Sequence, residues 1–149
     1  MIELKAVPMN RVHFEVVISL LQEVSIFQPS PEIYDEIWTS FSSQPNSFPI
    51  VALSEGEVVG FAVLLVEQKV RGGKMGHIED VVSHPDFRGL GVGRLLISEL
   101  ADIASTMGCY KVALHCHTQS VGFYEKCGFH PNGNSMQKFL LDSLPSKEF

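Results

Sequence analysis

The sequence contains no uninterrupted apolar run near the ~18 residues that a membrane-spanning helix requires, which argues against a bilayer partner. Positive charge is also scarce. Eleven lysines and arginines (11) stand against 17 aspartates and glutamates, giving a net charge of −6 and a pI near 5.4. No long basic stripe offsets that balance, so nucleic acid is not an expected partner. A small anion stays compatible, because the field at a helix end opposes net charge locally. Cysteine is rare too. Cys109, Cys116 and Cys127 are odd in number and lack metal-ligand spacing. They point to reduced thiols in a cytoplasmic protein, with no disulfide framework and no metal site. The stretch Met1–Pro8 has no signal-peptide hydrophobic region, and the closing "PSKEF" is not a peroxisomal address. Import into an organelle by another route is left open. Repeats, low-complexity tracts and linkers are absent.

What is present is ordinary globular composition: 149 residues, 45% hydrophobic and 19% charged. That suits a single domain over residues 1–149 with one core. "IELKAV" alternates like a strand. Asn10 is placed to cap a helix carrying Val12, Val16, Val17, Leu20 and Leu21 at helical spacing. "SPEIYDEIWTSF" reads as a second helix, with Ser30 as cap, Pro31 in its first turn and a stripe of Ile33, Tyr34, Ile37, Trp38 and Phe41. The period then changes. "FPIVAL" and "VVGFAVLLV" form a hairpin across "SEGE", and "RGGK" turns the chain into a strand near Met75–Val82.

After that strand comes "RGLGVG" and a helix bearing Val92, Leu95, Leu96, Leu100, Ile103 and Met107, stopped by Gly108. "YKVALHC" is the next strand. A short helix from about Ser120 to Cys127 ends at Gly128, and a final strand is expected near Met136–Leu141. The order β-α-α-β-β-β-α-β-α-β predicts an α/β protein of the α+β type. Its sheet is mixed and mostly antiparallel, flanked by helices, with one right-handed parallel crossover around the glycines.

The glycine segment carries the functional signal. Free amides and the positive dipole end at a helix start attract a phosphate. Glycine lets the backbone approach and adopt positive φ. Arg88 adds charge to the turn Gly89, Leu90, Gly91, Val92, Gly93 and Arg94. The third glycine falls one position early for a dinucleotide fingerprint, and no acidic residue follows near Val112–Leu114. Arg94-Leu95 replaces the Lys-Ser/Thr pair of a nucleotide-triphosphate loop.

With its neighbours, the segment is more specific. "R-G-x-G-x-G" between strand and helix resembles the acetyl-CoA loop of the GNAT acetyltransferase superfamily. "GHIEDVVSHPDFRGLGVGRLLISEL", "GCYKVALHC" and "VGFYEKCGF", spanning roughly Gly76–Met136, resemble the glucosamine 6-phosphate N-acetyltransferase family within it. The resemblance implies the GNAT fold and direct acetyl transfer from acetyl-CoA to the 2-amino group of glucosamine 6-phosphate. The product serves UDP-N-acetylglucosamine synthesis. It also implies a homodimer whose subunits share the sugar site.

By the same resemblance, Asp80, Val81, Val82 and Ser120 line the cofactor arm. A Val81 or Val82 amide faces the thioester oxygen. Glu79 and Asp80 belong to the amino-sugar site, although on a regular strand they face opposite sides unless a bulge intervenes. Tyr124 is placed to protonate the leaving thiolate. His115 stands where relatives carry an acid, and it is assigned an orienting or proton-relay role. His77 and His117 carry less weight. For the sugar phosphate the candidates are Lys69, Arg71, Lys74 and Lys138, of which Lys69 and Lys138 are assigned to it; beside Lys138, Phe139 stands where the family has an arginine. Arg94 and Lys126 are candidates for the nucleotide 3′-phosphate. The cysteines are assigned to packing, and no acyl-enzyme is expected. Two rival readings remain: a GNAT enzyme acting on another amine, such as a protein lysine or polyamine, and a non-catalytic acyl-CoA sensor.

Overall fold

A computed structural model describes residues 3–141. Five strands, β1 (Leu4–Pro8), β2 (Ser47–Ser54), β3 (Glu57–Gln68), β4 (Lys74–Ser83) and β5 (Cys109–Leu114), lie in the order β1-β2-β3-β4-β5. Successive pairs are antiparallel except β4 and β5, which are parallel. Helix α3 (Val92–Thr106) makes the crossover that parallel pairing requires. Helices α1 (Phe14–Leu21), α2 (Tyr34–Ser42) and α4 (Val121–Lys126) complete the fold. The mixed, helix-flanked sheet expected from the sequence is present.

Alternation along the strands sorts the core into two layers. Ile50, Ala52, Ala62, Leu64 and Ile78 face α3 and pack with Val92, Leu96, Leu100 and Ala104. Their neighbours Val51, Phe61 and Val63 face the other way, toward Phe14, Val17, Leu20 and Tyr34 of α1 and α2. A period-2 strand buried on both faces reads as a continuous apolar run, which explains "VVGFAVLLV". On β3, Gly60 brings the sheet close to the start of α3: a β-carbon there would stand 2.5 Å from Val92 Cγ1. The N-terminal pole of α3 is fixed by that approach.

Several local expectations are corrected. Asn10 and Ser30 are the caps of 3-10 turns that lead into α1 and α2; Asn10 forms a capping box with His13, whereas the Ser30 side chain makes no capping hydrogen bond. In that box the Asn10 backbone amide donates to His13 Nδ1 at 3.0 Å. Val12 and Val16 are exposed, while Phe14, Val17 and Leu20 form the buried stripe of α1. The 3-10 turn shifts the helical phase, and the larger aromatic ring takes the inward position. Residues 136–141 form no strand. A strand exists through pairing, and nothing in the described chain pairs with this segment. Met136, Phe139, Leu140 and Leu141 are all exposed. Gly108 and Gly128 end their helices at φ +89° and +94°, as left-handed caps do.

Candidate active site

Strand β4 has two different halves. From Lys74 to Ile78 it pairs with β3 on one edge and β5 on the other, and the last β5 partner is Ile78↔Leu114. From Glu79 to Ser83 only the β3 edge is paired among the described residues. The opposite edge leaves backbone groups without a neighbouring strand. The sheet therefore splays between β4 and β5, and the gap joins the α3 face to the α1/α2 face.

A bulge marks the start of the free half. Phe61 pairs with Val82 and Val63 with Glu79, so Ala62 faces two residues, Asp80 and Val81. Asp80 takes φ +55°, a left-handed conformation that Asp tolerates better than most residues. The extra residue inverts the parity of the strand: Ile78 packs toward α3, Val82 toward α1 and α2. Glu79, opposite Val63, lies on the α1/α2 face, and Asp80 lines a cavity on that same face. The two carboxylates that a regular strand would separate thus share one side. The apolar surroundings of Asp80 push its carboxyl pKa up by desolvation.

The glycine turn opens α3 beside this gap. Gly89 and Gly91 have φ +79° and +91°, and a β-carbon on either would meet nothing within 4 Å. They are glycines for backbone conformation, and the space beside them is open. Gly91 is the N-cap of α3, and its carbonyl accepts from the Leu95 amide at 3.0 Å. The amides of Val92, Gly93 and Arg94 then have no partner within the helix. The Leu90 amide is already engaged with the Phe87 carbonyl at 3.3 Å. Gly93 is small for another reason: a β-carbon would come within 3.0 Å of the Phe123 ring on α4. Arg88 and Arg94 are exposed on either side.

Tyr124 is half-buried on α4, edge-on to Phe129 at 5.9 Å and packed against the α3-side core. Burial raises its phenol pKa, with the Cys116 and Cys127 thiols adding to the shift. All three cysteines are free. Ser120 is the residue before α4, with its amide on the His117 carbonyl at 2.9 Å. His115 is exposed just past the end of β5, its ring 6.4 Å from that of His117.

On the α1/α2 face lies a cavity of about 830 Å³, walled by Ile18, Leu21, Phe27, Ile37 and Phe41, with Asp80 and Glu36 in its lining. Sequence reading missed it, because it is made by the loop between α1 and α2. The one available signal is the apolar "IF" inside that loop. Gln22 holds the loop. Its Nε2 donates to the carbonyls of Ile18 (3.1 Å) and Phe27 (2.8 Å), and its Oε1 accepts from the Phe27 amide (2.9 Å). Arg11 ties the two helices together, bridging Glu15 and Asp35 at 2.9 Å each.

The cationic candidates do not converge here. Lys69 and Arg71 lie at the β3–β4 turn, where with Val70, Gly73 and Tyr110 they line a second hollow of about 360 Å³. Lys69 bridges Glu67 at 3.1 Å, and His77 bonds the same carboxylate at 2.9 Å. Lys74 donates to the Met107 carbonyl at 3.3 Å. At strand rise, the six residues from Lys74 to Asp80 put roughly 20 Å between that turn and the bulge. Lys138 is exposed in the irregular segment, and Lys126 is exposed on α4. Among the described residues no helix is long and apolar enough to cross a membrane. None of their His, Cys, Asp and Glu side chains gather in threes as a metal site would require.

A mixed sheet that splays beside a glycine-capped helix start, with a carboxylate-edged cavity behind it, is the architecture of an acetyltransferase. The chain belongs to the Acetyltransferase (GNAT) family, whose sequence model matches residues 15–129. A glucosamine 6-phosphate N-acetyltransferase from Trypanosoma brucei brucei is 46% identical over 84 residues, 55% of this chain and 57% of that protein. Glucosamine 6-phosphate N-acetyltransferase 1 of Dictyostelium discoideum is 36% identical over 125 residues, 80% of each chain. The crystal structure of the Arabidopsis thaliana glucosamine-6-phosphate N-acetyltransferase superposes with a TM-score of 0.86 at 30% identity, covering 93% of this chain and 99% of that one.

Proposed function

We propose that this protein transfers the acetyl group of acetyl-CoA to the 2-amino group of glucosamine 6-phosphate by direct attack in a ternary complex. The observation that carries the proposal is the junction of three features at one end of β4: the free backbone edge, the bulge at Asp80 and the glycine-capped pole of α3. The relatives named above supply the acceptor.

The residues divide the work. Free amides at Gly91–Arg94, with Arg88, suit a diphosphate. The unpaired edge of β4 suits an extended amide-bearing arm, which would add to the sheet like a strand. That arm, lying in the gap, delivers the thioester from the α3 face to the α1/α2 face. A Val81 or Val82 amide meets the carbonyl oxygen as it gains negative charge. Glu79 and Asp80 hold the acceptor amine. Desolvation raises the pKa of Asp80, which favours its taking a proton in the site. Tyr124 returns a proton to the departing thiolate, and His115 orients or relays.

Lys69 and Lys138 enter the proposal through a second copy of the chain. Lys69 is too far from its own Asp80 to meet the phosphate of an amine held there. The exposed Met136, Phe139 and Leu140 and the outer edge of β5, unpaired among the described residues, also favour a homodimer with shared sugar sites. The test is release of free CoA from acetyl-CoA with glucosamine 6-phosphate or glucosamine. Fast release with the phosphorylated sugar alone is expected. Equal release with both refutes a phosphate site, and release with neither refutes the acceptor.

A further inference from the structure

The turn between β4 and α3 has to present the α3 pole in one arrangement, yet its second half has little to hold it. Gly89 and Gly91 stand at φ +79° and +91°, with nothing within 4 Å of a β-carbon built on either. Arg88 and Leu90 are exposed. Glycine has the most conformational freedom to lose when such a turn is ordered. The order must come from the first half of the turn. There the His84 amide donates to the Val59 carbonyl of β3 at 2.8 Å, which fixes this residue to the sheet. A 3-10 turn over Pro85–Phe87 follows, with His84 as its cap. Pro85 has no amide to satisfy. The Asp86 amide is the first that needs an acceptor, and it donates to His84 Nδ1 at 3.1 Å. Phe87 then donates to the His84 carbonyl at 2.9 Å, and Arg88 to the Pro85 carbonyl at 3.4 Å. The His84 ring also lies edge-on to Phe87, with centroids 5.6 Å apart, and Phe87 packs on the α3-side core. Finally the Phe87 carbonyl accepts from the Leu90 amide at 3.3 Å, one residue before the Gly91 cap. The His84 imidazole thus sits in a continuous chain of contacts from β3 to the start of α3.

We infer that His84 is a positioning residue for acetyl-CoA, and that its ring nitrogen holds the glycine turn in the form that receives the diphosphate. The inference rests on the acetyl-transfer reading above and adds the side chain that orders its cofactor turn. Nδ1 accepts the Asp86 amide with the ring proton on Nε2. Histidine therefore combines the acceptor of a cap residue with an aromatic surface for Phe87. Serine, asparagine and aspartate at a cap supply only the first. Without the acceptor the Asp86 amide turns to water, and the turn samples further conformations. Only the fraction of molecules with the turn in place then binds the diphosphate, so the apparent affinity falls by that fraction. None of the groups assigned to proton transfer lies in this turn. The loss is in cofactor affinity and leaves the chemical step alone.

The experiment titrates the full chain with acetyl-CoA in a calorimeter and measures CoA release with glucosamine 6-phosphate. Two variants separate the jobs of the ring: His84→Phe keeps the aromatic surface and loses the acceptor, and His84→Asn keeps an acceptor and loses the ring. In His84→Phe the Kd of acetyl-CoA should rise ~5-fold or more, the scale of one net hydrogen bond. Its KM for acetyl-CoA should rise alike, with kcat at saturating acetyl-CoA within ~2-fold of the parent. His84→Asn should restore the Kd to within ~2-fold, a rescue that a ring-packing role would not give. An unchanged Kd in His84→Phe overturns the inference, as does a His84→Asn as weak as His84→Phe. A fall in kcat with an unchanged Kd overturns it too. If His84→Phe does not fold, His84→Ala takes its place against His84→Asn with the same expected order. A parent that does not bind acetyl-CoA overturns the acetyl-transfer reading and this step together. A parent that binds it without turning over the sugar phosphate overturns the acceptor alone, and the Kd series still decides the role of His84.

Discussion

The two helical layers of this protein do different jobs with different materials. The α3 layer is tightly packed: Leu96 and Leu100 have 0% exposure, and the helix presses on the sheet at Gly60. Its contribution to the site is made of backbone, the free amides at its first turn. The α1/α2 layer is looser. Ile37, Trp38 and Phe41 are only half-buried, and a large cavity remains between the helices and the sheet. Its contribution is made of side chains. A rigid layer suits an invariant chemical group such as a diphosphate, because amide positions depend only on the backbone. A loose layer suits an acceptor whose shape differs between enzymes.

Substitutions break or sharpen that contrast. Leu100→Ala in the rigid layer is expected to cost ~2–5 kcal/mol in chemical denaturation, the range for a buried leucine. Ile37→Ala on the cavity wall should cost under ~1.5 kcal/mol and mainly raise the acceptor KM. Equal losses would erase the distinction between layers. Tyr124→Phe should lower kcat by ~10²-fold or more, the scale of a lost general acid, while the dissociation constant of acetyl-CoA stays near its original value. An unchanged kcat removes Tyr124 from the chemistry.

Gly91→Val forces a β-branched residue to φ +91°, a strain of ~1–2 kcal/mol at least, and it fills the open space beside the turn. Affinity for acetyl-CoA should fall correspondingly in a calorimetric titration. Retained affinity would mean that the α3 pole does not hold the diphosphate.

Asp80→Asn tests the bulge and its titration together. Asn tolerates the left-handed conformation as Asp does, so the bulge should survive. The folded pKa of Asp80 lies above its ordinary 3.8, so the native state holds this proton more tightly than the unfolded chain. Its contribution to stability is full below the ordinary value and is lost as pH rises through the raised one. Asp80→Asn should therefore be at least as stable as the parent at neutral pH, with the difference vanishing in acid, while turnover drops. Thermal melts across pH read the first effect and CoA release the second. Destabilisation at neutral pH would show that the charged carboxylate supports the fold. The smallest effect is expected from Gln22→Leu, which removes the hydrogen bonds that hold the loop at Phe27. It should raise the acceptor KM only a few-fold, because these bonds order the loop and do not touch the acceptor, and leave acetyl-CoA binding alone. A matching change in acetyl-CoA binding would mean that the layers are coupled.

Much of this was legible in the residues. The glycine turn, both left-handed helix ends, the hairpin at Glu55–Gly56 and the parallel crossover follow from local chemistry. Glu79, Asp80 and Tyr124 are identifiable within their motifs. Other features were hidden for stated reasons. The phase of α1 depends on a 3-10 turn that periodicity does not encode. The segment 136–141 alternates like a strand, but it has no partner within one described chain. The cavity is bounded by residues more than fifty positions apart. Lys69 looked like a neighbour of "GHIED" because sequence distance conceals the length of an extended strand.

By itself, the sequence determined most of the elements, the glycine turn and the family resemblance. These rest on steric and hydrogen-bonding preferences that act over a few residues. The tertiary structure alone decided that Glu79 and Asp80 share a face, that β4 loses its β5 partner after Ile78, and that an apolar cavity edged by acids lies on the α1/α2 face. The bulge, the splay and the cavity each depend on how separate segments register against one another.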